Sequence, residues 1–391
     1  MRWRILALVF AARVGLGFQF QTVGSAGDGL TLAFGLDYAG LGLMIGLFMM
    51  PGLVLSLPAG LSGRLMSDRA LAGLGLLALT AGGVLSATAQ GPVMLGAGRV
   101  LAGAGFLFAN LYFTKMVSDW FEGREIATAM SILVTSWPLG IAMGQIGHAW
   151  LAETLGWQVP FLAASAYCAA AAAWMLTLYR SPEGAKGPAP GAALRLTGRE
   201  LALVLCAGTA WGVFNAGYVV FLSFGPMMLE RHGATAVAAA GTISLGSWLM
   251  IGSSALCGYL ADRFGRRDTI LAVCMAGAIG ALLLLTLPGG GLAGSVLFGL
   301  VAIAPAGIIM ALSGQAVARE RRAMGMGVFF TLYYICMFAV PPIAGAILDA
   351  TGRPEAVLLL GMGLFLSVLP LSLMFRWIKA RPQAGLATGG A

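Results

Sequence analysis

The chain has 391 residues, of which 59% are hydrophobic and only 10% are charged. Soluble domains are about half apolar and one-quarter charged, so this composition excludes an ordinary soluble enzyme and indicates a membrane protein. The net charge of +8 would suggest nucleic acid as the partner of a soluble protein. Here we interpret it as membrane topology, and we expect a lipid bilayer and no nucleic acid as partners.

Twelve apolar stretches are long enough to cross a bilayer, since one helical crossing needs about 20 residues. We predict spans at residues 4–24, 38–62, 70–90, 93–115, 127–150, 157–179, 200–224, 235–260, 269–288, 292–317, 323–348 and 356–377. The expected fold is an all-α polytopic membrane protein with twelve transmembrane helices in two pseudo-symmetric six-helix bundles. Residues 1–180 would form the first bundle, 181–198 a cytoplasmic linker, and 199–391 the second bundle with a short cytoplasmic tail.

Basic residues are distributed unevenly between the predicted loops. If the amino terminus is cytoplasmic, nineteen Lys and Arg residues lie in inner loops and tails, and only Arg231 and Arg353 lie in outer loops. Short loops rich in Lys and Arg stay in the cytoplasm. The distribution therefore predicts a multi-pass protein of the cell inner membrane with both termini cytoplasmic.

The sequence repeats once along the chain. The segment 258–267, GYLADRFGRR, ends span 8, and the segment 59–68, AGLSGRLMSD, ends span 2. Aligning Arg263 with Arg64 gives an offset of 263 minus 64, or 199, and aligning Arg319 with Arg124 gives 319 minus 124, or 195. Both offsets are near half the chain length, so two related halves are expected to handle a solute between them near the midplane.

Two of these segments resemble motifs of the major facilitator superfamily. GYLADRFGRR resembles the family's loop motif, and the segment 99–105, RVLAGAG, resembles its span 4 arginine–glycine motif. Within the superfamily, the pattern is similar to the cyanate permease group and related small-anion carriers. The resemblance covers essentially the whole chain and implies solute transport by alternating access.

The resemblance also implies a cytoplasmic gate, in which Asp262 engages the start of span 5 around residues 124–128. An acid at a helix amino terminus is favoured electrostatically. Alternatively, the arginines only orient the loop. Gly63 replaces the acid of the first-half motif, so a matching latch onto span 11 should be weak or absent. The gate-motif residues are Gly258, Asp262, Arg263, Gly265, Arg266 and Arg267.

Two arginines are predicted within the membrane, whereas no span interior holds an acid. Arg13 would lie about 15 Å into span 1 at 1.5 Å per residue, and a charge at that depth is costly unless it is paired or hydrated. We predict that Arg13 lines a transport cavity and binds an anion; the alternative is bonding to carbonyls between helices. For Arg99, a role in substrate binding or coupling and a role in helix packing both stay open.

Further polar and aromatic residues within spans could line the same cavity or could simply pack helices. The candidate substrate-binding residues are Arg13, Arg99, Asn110, Trp137, Asn215, Tyr218 and Tyr334, with Tyr333 as a further cavity-lining residue. His148 and His232 are expected at the surface near outer span ends, with no metal-site spacing. We expect no catalytic residue, metal or cofactor, because the sequence has no phosphate-binding loop and no metal-binding spacing.

The sequence therefore predicts a secondary active or facilitative transporter that moves a small anionic solute by alternating access. An exporter of amphiphilic or drug-like compounds is the alternative, and a non-transport membrane receptor is a third. The absence of embedded acids disfavours a cation site. Proton coupling, exchange and uniport stay open, protons are an optional partner, and we expect a monomer.

Overall fold

A computed structural model describes residues 1–121, 125–182, 196–318 and 321–381. Within these residues the chain is helical without strands, and twelve helical segments are long and apolar enough to cross a membrane. The spans are, in order, Arg2–Phe20, Tyr38–Leu47 with Pro51–Leu61, Asp68–Ala87, Pro92–Phe121, Ile126–Leu155, Gln158–Leu178, Gly198–Arg231, Ala236–Phe264, Arg267–Thr286, Gly291–Leu297 with Ala306–Ala316, Arg322–Thr351 and Pro354–Ala380. The predicted fold class and the twelve spans are confirmed.

Several spans depart from straight helices. Span 2 is interrupted after Leu47 and resumes at Pro51, whose missing N–H suits a first helical position. Span 10 contains a π-helical turn, Phe298–Ala302, and resumes after Pro305. The first predicted span, residues 4–24, is interrupted at Gln21, after which a short helix, Thr22–Ser25, begins; a second short helix, Gly27–Phe34, lies where the sequence predicted a loop. Span 7 runs to Arg231 rather than to residue 224, about two helical turns beyond the predicted end.

The spans pack as two related sets. In the first half, span 3 packs against spans 4 and 6, and span 1 against spans 5 and 6. In the second half, span 9 packs against spans 10 and 12, and span 7 against spans 11 and 12. The halves meet where span 2 packs against span 11 and span 5 against span 8. Residues 183–195 of the predicted linker lie outside the described residues.

An even number of spans places both termini on one membrane side, which we name the terminal face; the other side is the opposite face. The described ion pairs of the terminal face each stay within one half. They join Lys115 to Asp68 and Asp119, Arg2 to Glu125, Arg321 to Glu200, and Arg376 to Asp268. These pairs stabilise each bundle separately.

A contact between the halves lies at the opposite face. The carboxylate of Asp349, near the end of span 11, accepts hydrogen bonds from the backbone N–H groups of Tyr38 (3.0 Å) and Ala39 (2.8 Å) at the start of span 2. A carboxylate satisfies the free N–H groups of a helix amino terminus and interacts favourably with its dipole. Asp349 therefore fastens the second half to the first at this face.

Candidate functional site

Arg13 lies at the junction of spans 1, 4 and 5. Its Nε donates to Asn110 Oδ1 (3.0 Å), and its Nη1 donates to the carbonyl of Leu133 (2.8 Å) and to Ser136 Oγ (3.0 Å). Its Nη2 has no acceptor among the described residues, and no carboxylate pairs with it there. The side chain is only partly buried. The guanidinium is therefore held through Nε and Nη1, and its Nη2 can still donate hydrogen bonds.

Glycines bring spans 1 and 5 close enough for these bonds. A Cβ at Gly17 would collide with the carbonyl of Trp137, and a Cβ at Gly140 would collide with the carbonyl of Val14. Tyr167 of span 6 donates a hydrogen bond to the carbonyl of Ala11 (2.7 Å), which holds span 1 from its other side. Small residues permit close approach of membrane helices. The backbone near Arg13 is thus fixed by three spans.

The second half supplies the facing wall of the Arg13 region. The phenol of Tyr333 in span 11 is near enough to interact electrostatically with Arg13. Its ring lies 6.5 Å from that of Trp211 in span 7 and 6.4 Å from that of Phe330, measured between centroids. All three aromatic side chains are partly exposed. These three residues form an aromatic wall of the second half, and Tyr333 is the member that approaches Arg13.

The structure brings Arg13 and Asn110 together but places the other candidate residues elsewhere. Trp137 joins an aromatic cluster, 5.5 Å from Phe20 and 5.3 Å from Phe106 between ring centroids. Asn215 donates to the carbonyl of Trp211 (2.8 Å) one turn earlier in its own helix and is partly buried. Asn215 thus lies beside the aromatic wall, whereas Trp137 packs within the first half.

Tyr218 and Tyr334 are almost fully buried, each 4% exposed. The Tyr218 hydroxyl pairs with Ser247 Oγ at 2.6 Å inside the second half. Tyr334 packs against span 2, where a Cβ at Gly52 would collide with its ring. In this conformation Tyr333, the neighbour of Tyr334, is the tyrosine that approaches Arg13.

Arg99 is fully enclosed at 0% exposure. It donates to the carbonyls of Met44 (3.2 Å), Gln19 (3.3 Å) and Phe20 (3.2 Å), and to Thr22 Oγ1 (3.1 Å). Its guanidinium carbon also lies 4.6 Å from the Phe48 ring centroid. These acceptors flank the interruptions in spans 1 and 2. Of the two roles left open by the sequence, this geometry favours packing.

The gate motif lies on an exposed part of the terminal face. Gly265 ends the helix of span 8 in the left-handed region (φ 65°), which explains the glycine. A Cβ at Gly258 would meet open space, and Arg263 donates to the Tyr259 hydroxyl at 2.7 Å. Arg266 and Arg267 are exposed. The Asp262 side chain and Arg124 lie outside the described residues, so the Asp262 latch stays a prediction.

The segment 59–68 of the first half corresponds to the gate motif of the second half. Tyr112 of span 4 lies beside Gly63 of this segment. The Tyr112 hydroxyl from span 4 donates to the carbonyl of Ala59 (2.9 Å) and pairs with Ser62 Oγ (3.1 Å). A Cβ at Gly63 would come within 3.0 Å of this hydroxyl. The end of span 2 is therefore held within its own half by span 4.

The sequence did not identify Ser136 or Glu200. Ser136 binds Arg13, and no motif marks it. Glu200 caps span 7 together with Thr197, accepts from the backbone N–H of Ala318 (3.0 Å) and pairs with Arg321. The spacing of Thr197 and Glu200 is a capping-box signal that could have been recognised.

The prediction that His148 is a surface residue was wrong. His148 is 0% exposed, and its Nε2 lies 2.9 Å from the carbonyl of Phe18. It packs against the Phe18 ring, with centroids 4.1 Å apart. Span 5 continues two turns beyond His148 to Leu155, so this residue lies between spans 1 and 5 rather than at a helix end.

Two six-helix halves that enclose polar residues between them define a membrane transporter of small solutes. The chain belongs to the Major Facilitator Superfamily, whose sequence profile matches residues 9–341. The family predicted from the motifs is thereby confirmed. No curated protein sequence matches the chain.

Solved structures share the fold at low sequence identity. A bacterial homolog to the human lysosomal transporter Spinster, in an inward-facing and unoccupied conformation, superimposes with a TM-score of 0.68 at 18% identity, over 97% of this chain and 95% of that one. The nucleoside transporter NupG, as its D323A mutant, gives a TM-score of 0.73 at 13% identity, over 96% and 99%. The occupied form of the Spinster homolog gives 0.70 at 16% identity, over 95% and 96%.

Proposed function

We propose that the protein is a secondary active or facilitative transporter that moves a small anionic solute by alternating access. The observation that carries the proposal is the arrangement of Arg13. Its Nε and Nη1 are held by Asn110, Leu133 and Ser136, whereas Nη2 has no acceptor in the described part of the chain. An anion between the halves would accept from the unused edge of the guanidinium.

The energy of such an interaction is sufficient for selective binding. A hydrogen bond to a charged group contributes about 1.5–3 kcal/mol, and a guanidinium can bind a carboxylate through two parallel bonds. A charge within the membrane is costly unless it is compensated. Arg13 has no carboxylate partner among the described residues, so a bound anion would provide the missing compensation.

We place the terminal face in the cytoplasm and the protein in the cell inner membrane as a monomer. The excess of Lys and Arg in the loops of the terminal face supports this orientation. The gate motif at the end of span 8 would then close the cytoplasmic side, with Asp262 engaging the start of span 5. The sequence pattern favours the cyanate permease group and related small-anion carriers within the superfamily.

Substitution of Arg13 tests the anion proposal. Purified protein would be screened for thermal stabilisation by cyanate, acetate, bicarbonate and nitrate, because a ligand of the folded state raises its apparent stability. For the anion that stabilises, Arg13→Gln should weaken binding about tenfold or more, and Arg13→Lys should restore it poorly because lysine lacks the planar fork.

The matched control is Arg353→Gln, which removes one positive charge from an exposed residue of the opposite face. It should leave anion binding unchanged. Flux of the same anion into proteoliposomes would establish transport and separate a transporter from a receptor. Unchanged affinity in Arg13→Gln, with the protein still folded, would overturn the role of Arg13.

An exporter of amphiphilic or drug-like compounds is the second candidate. The aromatic wall of Trp211, Phe330 and Tyr333 favours it, because aromatic rings bind apolar and cationic surfaces well. Proteoliposome flux of an amphiphilic cation, such as ethidium, distinguishes the candidates. Transport of ethidium without transport of any anion would replace the first proposal by the second.

A further inference from the structure

A cavity lies between the halves at the opposite face, and Arg13 does not line it. Its volume is about 330 Å³, within the usual size of small-molecule sites. Its polar lining comes from both halves, and we name these residues the acidic vestibule: Ser25, Asp28, Gln145, Glu153, Ser223 and Glu230. None of the described lining residues is basic.

The three acids of the vestibule have no ion-pair or hydrogen-bond partner among the described residues. Asp28 and Glu153 belong to the first half and are exposed, whereas Glu230 belongs to span 7 and is partly buried. Closing the opposite face places these like charges around one cavity. Like charges repel, so the closed arrangement is stabilised by any cation that enters.

Gln145 provides an independent indication of a ligand. Its side chain is 1% exposed, and its Nε2 donates to the carbonyl of Leu222 across the interface (3.1 Å). Its Oε1 is buried without a hydrogen-bond partner. A buried acceptor without a donor is costly, and a site that leaves one beside a cavity is suited to a ligand that donates.

The internal repeat relates this cavity to the Asp349 contact of the other interface between the halves. Glu153 of span 5 corresponds to Asp349 of span 11, with an offset of 349 minus 153, or 196, close to the repeat offsets. Asp349 binds the start of span 2 directly. The start of span 8 is Ala236, which lines the cavity opposite Glu153 instead of being capped by it. The Asp349 carboxylate closes the interface between spans 11 and 2. The related interface between spans 5 and 8 contains the cavity instead.

We propose that the acidic vestibule binds a small organic ammonium compound. An ammonium group offers several N–H donors, which suit Gln145 Oε1, the two serine hydroxyls and the Glu230 carboxylate. Among the described residues, no group of three or more His, Cys, Asp or Glu side chains is spaced to hold a metal ion. The size of the cavity also favours an organic ion over a bare metal.

Binding in the vestibule would stabilise the conformation that is closed at the opposite face, because the ligand contacts both halves there. The exposed carboxylates of Asp28 and Glu153 would attract cations to the entrance. This site uses none of the residues around Arg13. If the vestibule binds no ammonium compound, the anion proposal for Arg13 still stands. If the anion proposal fails, the vestibule proposal still stands.

The test measures binding of ethylammonium chloride to the full-length protein in lipid nanodiscs by thermal shift and calorimetry. Sodium chloride and calcium chloride at matched ionic strength serve as comparison salts. We expect saturable stabilisation by ethylammonium alone. Absence of saturable binding, or equal stabilisation by the metal salts, would overturn the proposal.

Variants locate the site. Glu230→Gln should weaken ethylammonium binding about tenfold, and Glu153→Gln, at an exposed position that should not affect folding, should weaken it severalfold. Asp37→Asn is the matched control: it removes one negative charge from the same face outside the cavity, and asparagine still caps span 2. Equal weakening by Asp37→Asn would show a general charge effect and contradict a specific site.

Discussion

Two arginines lie within the spans of the first half, and their surroundings differ. Arg99 is fully enclosed and donates to four acceptors around the interruptions of spans 1 and 2. Arg13 is partly exposed, donates to three acceptors and has an Nη2 without one among the described residues. The comparison teaches that two arginines predicted at membrane depth can differ in hydrogen-bond satisfaction, which the sequence does not reveal.

The Arg99 guanidinium connects span 1, the short helix that follows it and span 2 through its acceptors. Met44, Gln19 and Phe20 offer backbone carbonyls near helix interruptions. In the membrane such carbonyls must be satisfied by other protein groups. In both regions a hydroxyl already donates to one carbonyl, Thr22 to Gln19 (2.9 Å) and Ser136 to Leu133 (2.6 Å). The Arg99 region differs because Arg99 donates to two further backbone carbonyls, those of Met44 and Phe20.

The largest expected effect is that of Arg99→Met. The substitution keeps an apolar chain of similar length but removes the guanidinium donor from the carbonyls of Met44 and Phe20, whereas the Gln19 carbonyl keeps the Thr22 hydroxyl as a donor. A buried acceptor left without a donor costs about 1–3 kcal/mol, and this variant leaves two. We expect a sharp loss of folded protein and of thermal stability in detergent, measured by size-exclusion chromatography and thermal unfolding.

Arg13→Met is the matched comparison for that prediction. It should unfold at nearly the native temperature, since Leu133 and Ser136 keep their mutual hydrogen bond. If the two variants lose equal stability, then both arginines are structural and the contrast between the two regions is wrong.

A smaller effect is expected for Ser136→Ala. The change removes one of two acceptors of Arg13 Nη1 and lets the guanidinium reorient, so anion affinity should fall up to tenfold, the equivalent of about 1.4 kcal/mol. Folding should be nearly unaffected. Calorimetric titration with the stabilising anion measures the change. Thr135→Ala, at the neighbouring residue, whose hydroxyl donates to the carbonyl of Ile132 in its own helix, is the control and should bind as the native protein does.

The smallest effect is expected for Asp349→Asn. Asp349 binds the start of span 2, the span whose Met44 carbonyl accepts from Arg99. Asparagine can accept only one of the two hydrogen bonds from Tyr38 and Ala39, and the dipole interaction is lost, at a cost of about 0.5–1 kcal/mol. The opposite face should open more often. A cysteine placed at Ala39, a partly buried residue whose backbone N–H donates to Asp349, should then react faster with an impermeant thiol reagent in a variant without native cysteines.

Much of the architecture could be predicted from the sequence. Apolar stretches of sufficient length determine helices in a bilayer, because no other chain conformation satisfies its backbone there except a closed barrel. The twelve spans and the family followed from length, repeats and two motifs. The bounds differed where Thr197 caps span 7 early and where its helix continues to Arg231, since a helix can begin before and end after the apolar stretch that marks the span.

The candidate site could be predicted only in part. The rarity of charges within spans identified Arg13 and Arg99, and helical spacing suggested Asn110. The sequence could not distinguish the two arginines, because the acceptors of Arg99 are mostly carbonyls, which every residue carries. It also could not predict that His148 is buried or that Tyr333, rather than Tyr334, approaches Arg13, because both depend on how span 5 and span 11 rotate against other helices.

The sequence by itself determined that the chain crosses a membrane twelve times in two related halves and carries two embedded positive charges without embedded acids. Only the tertiary structure decided which charge is satisfied, that Asp349 closes one interface between the halves, and that an acidic cavity with the buried Oε1 of Gln145 occupies the related one. The physical reason is that hydropathy depends on composition along the chain. Hydrogen-bond satisfaction depends instead on atoms that distant spans bring together.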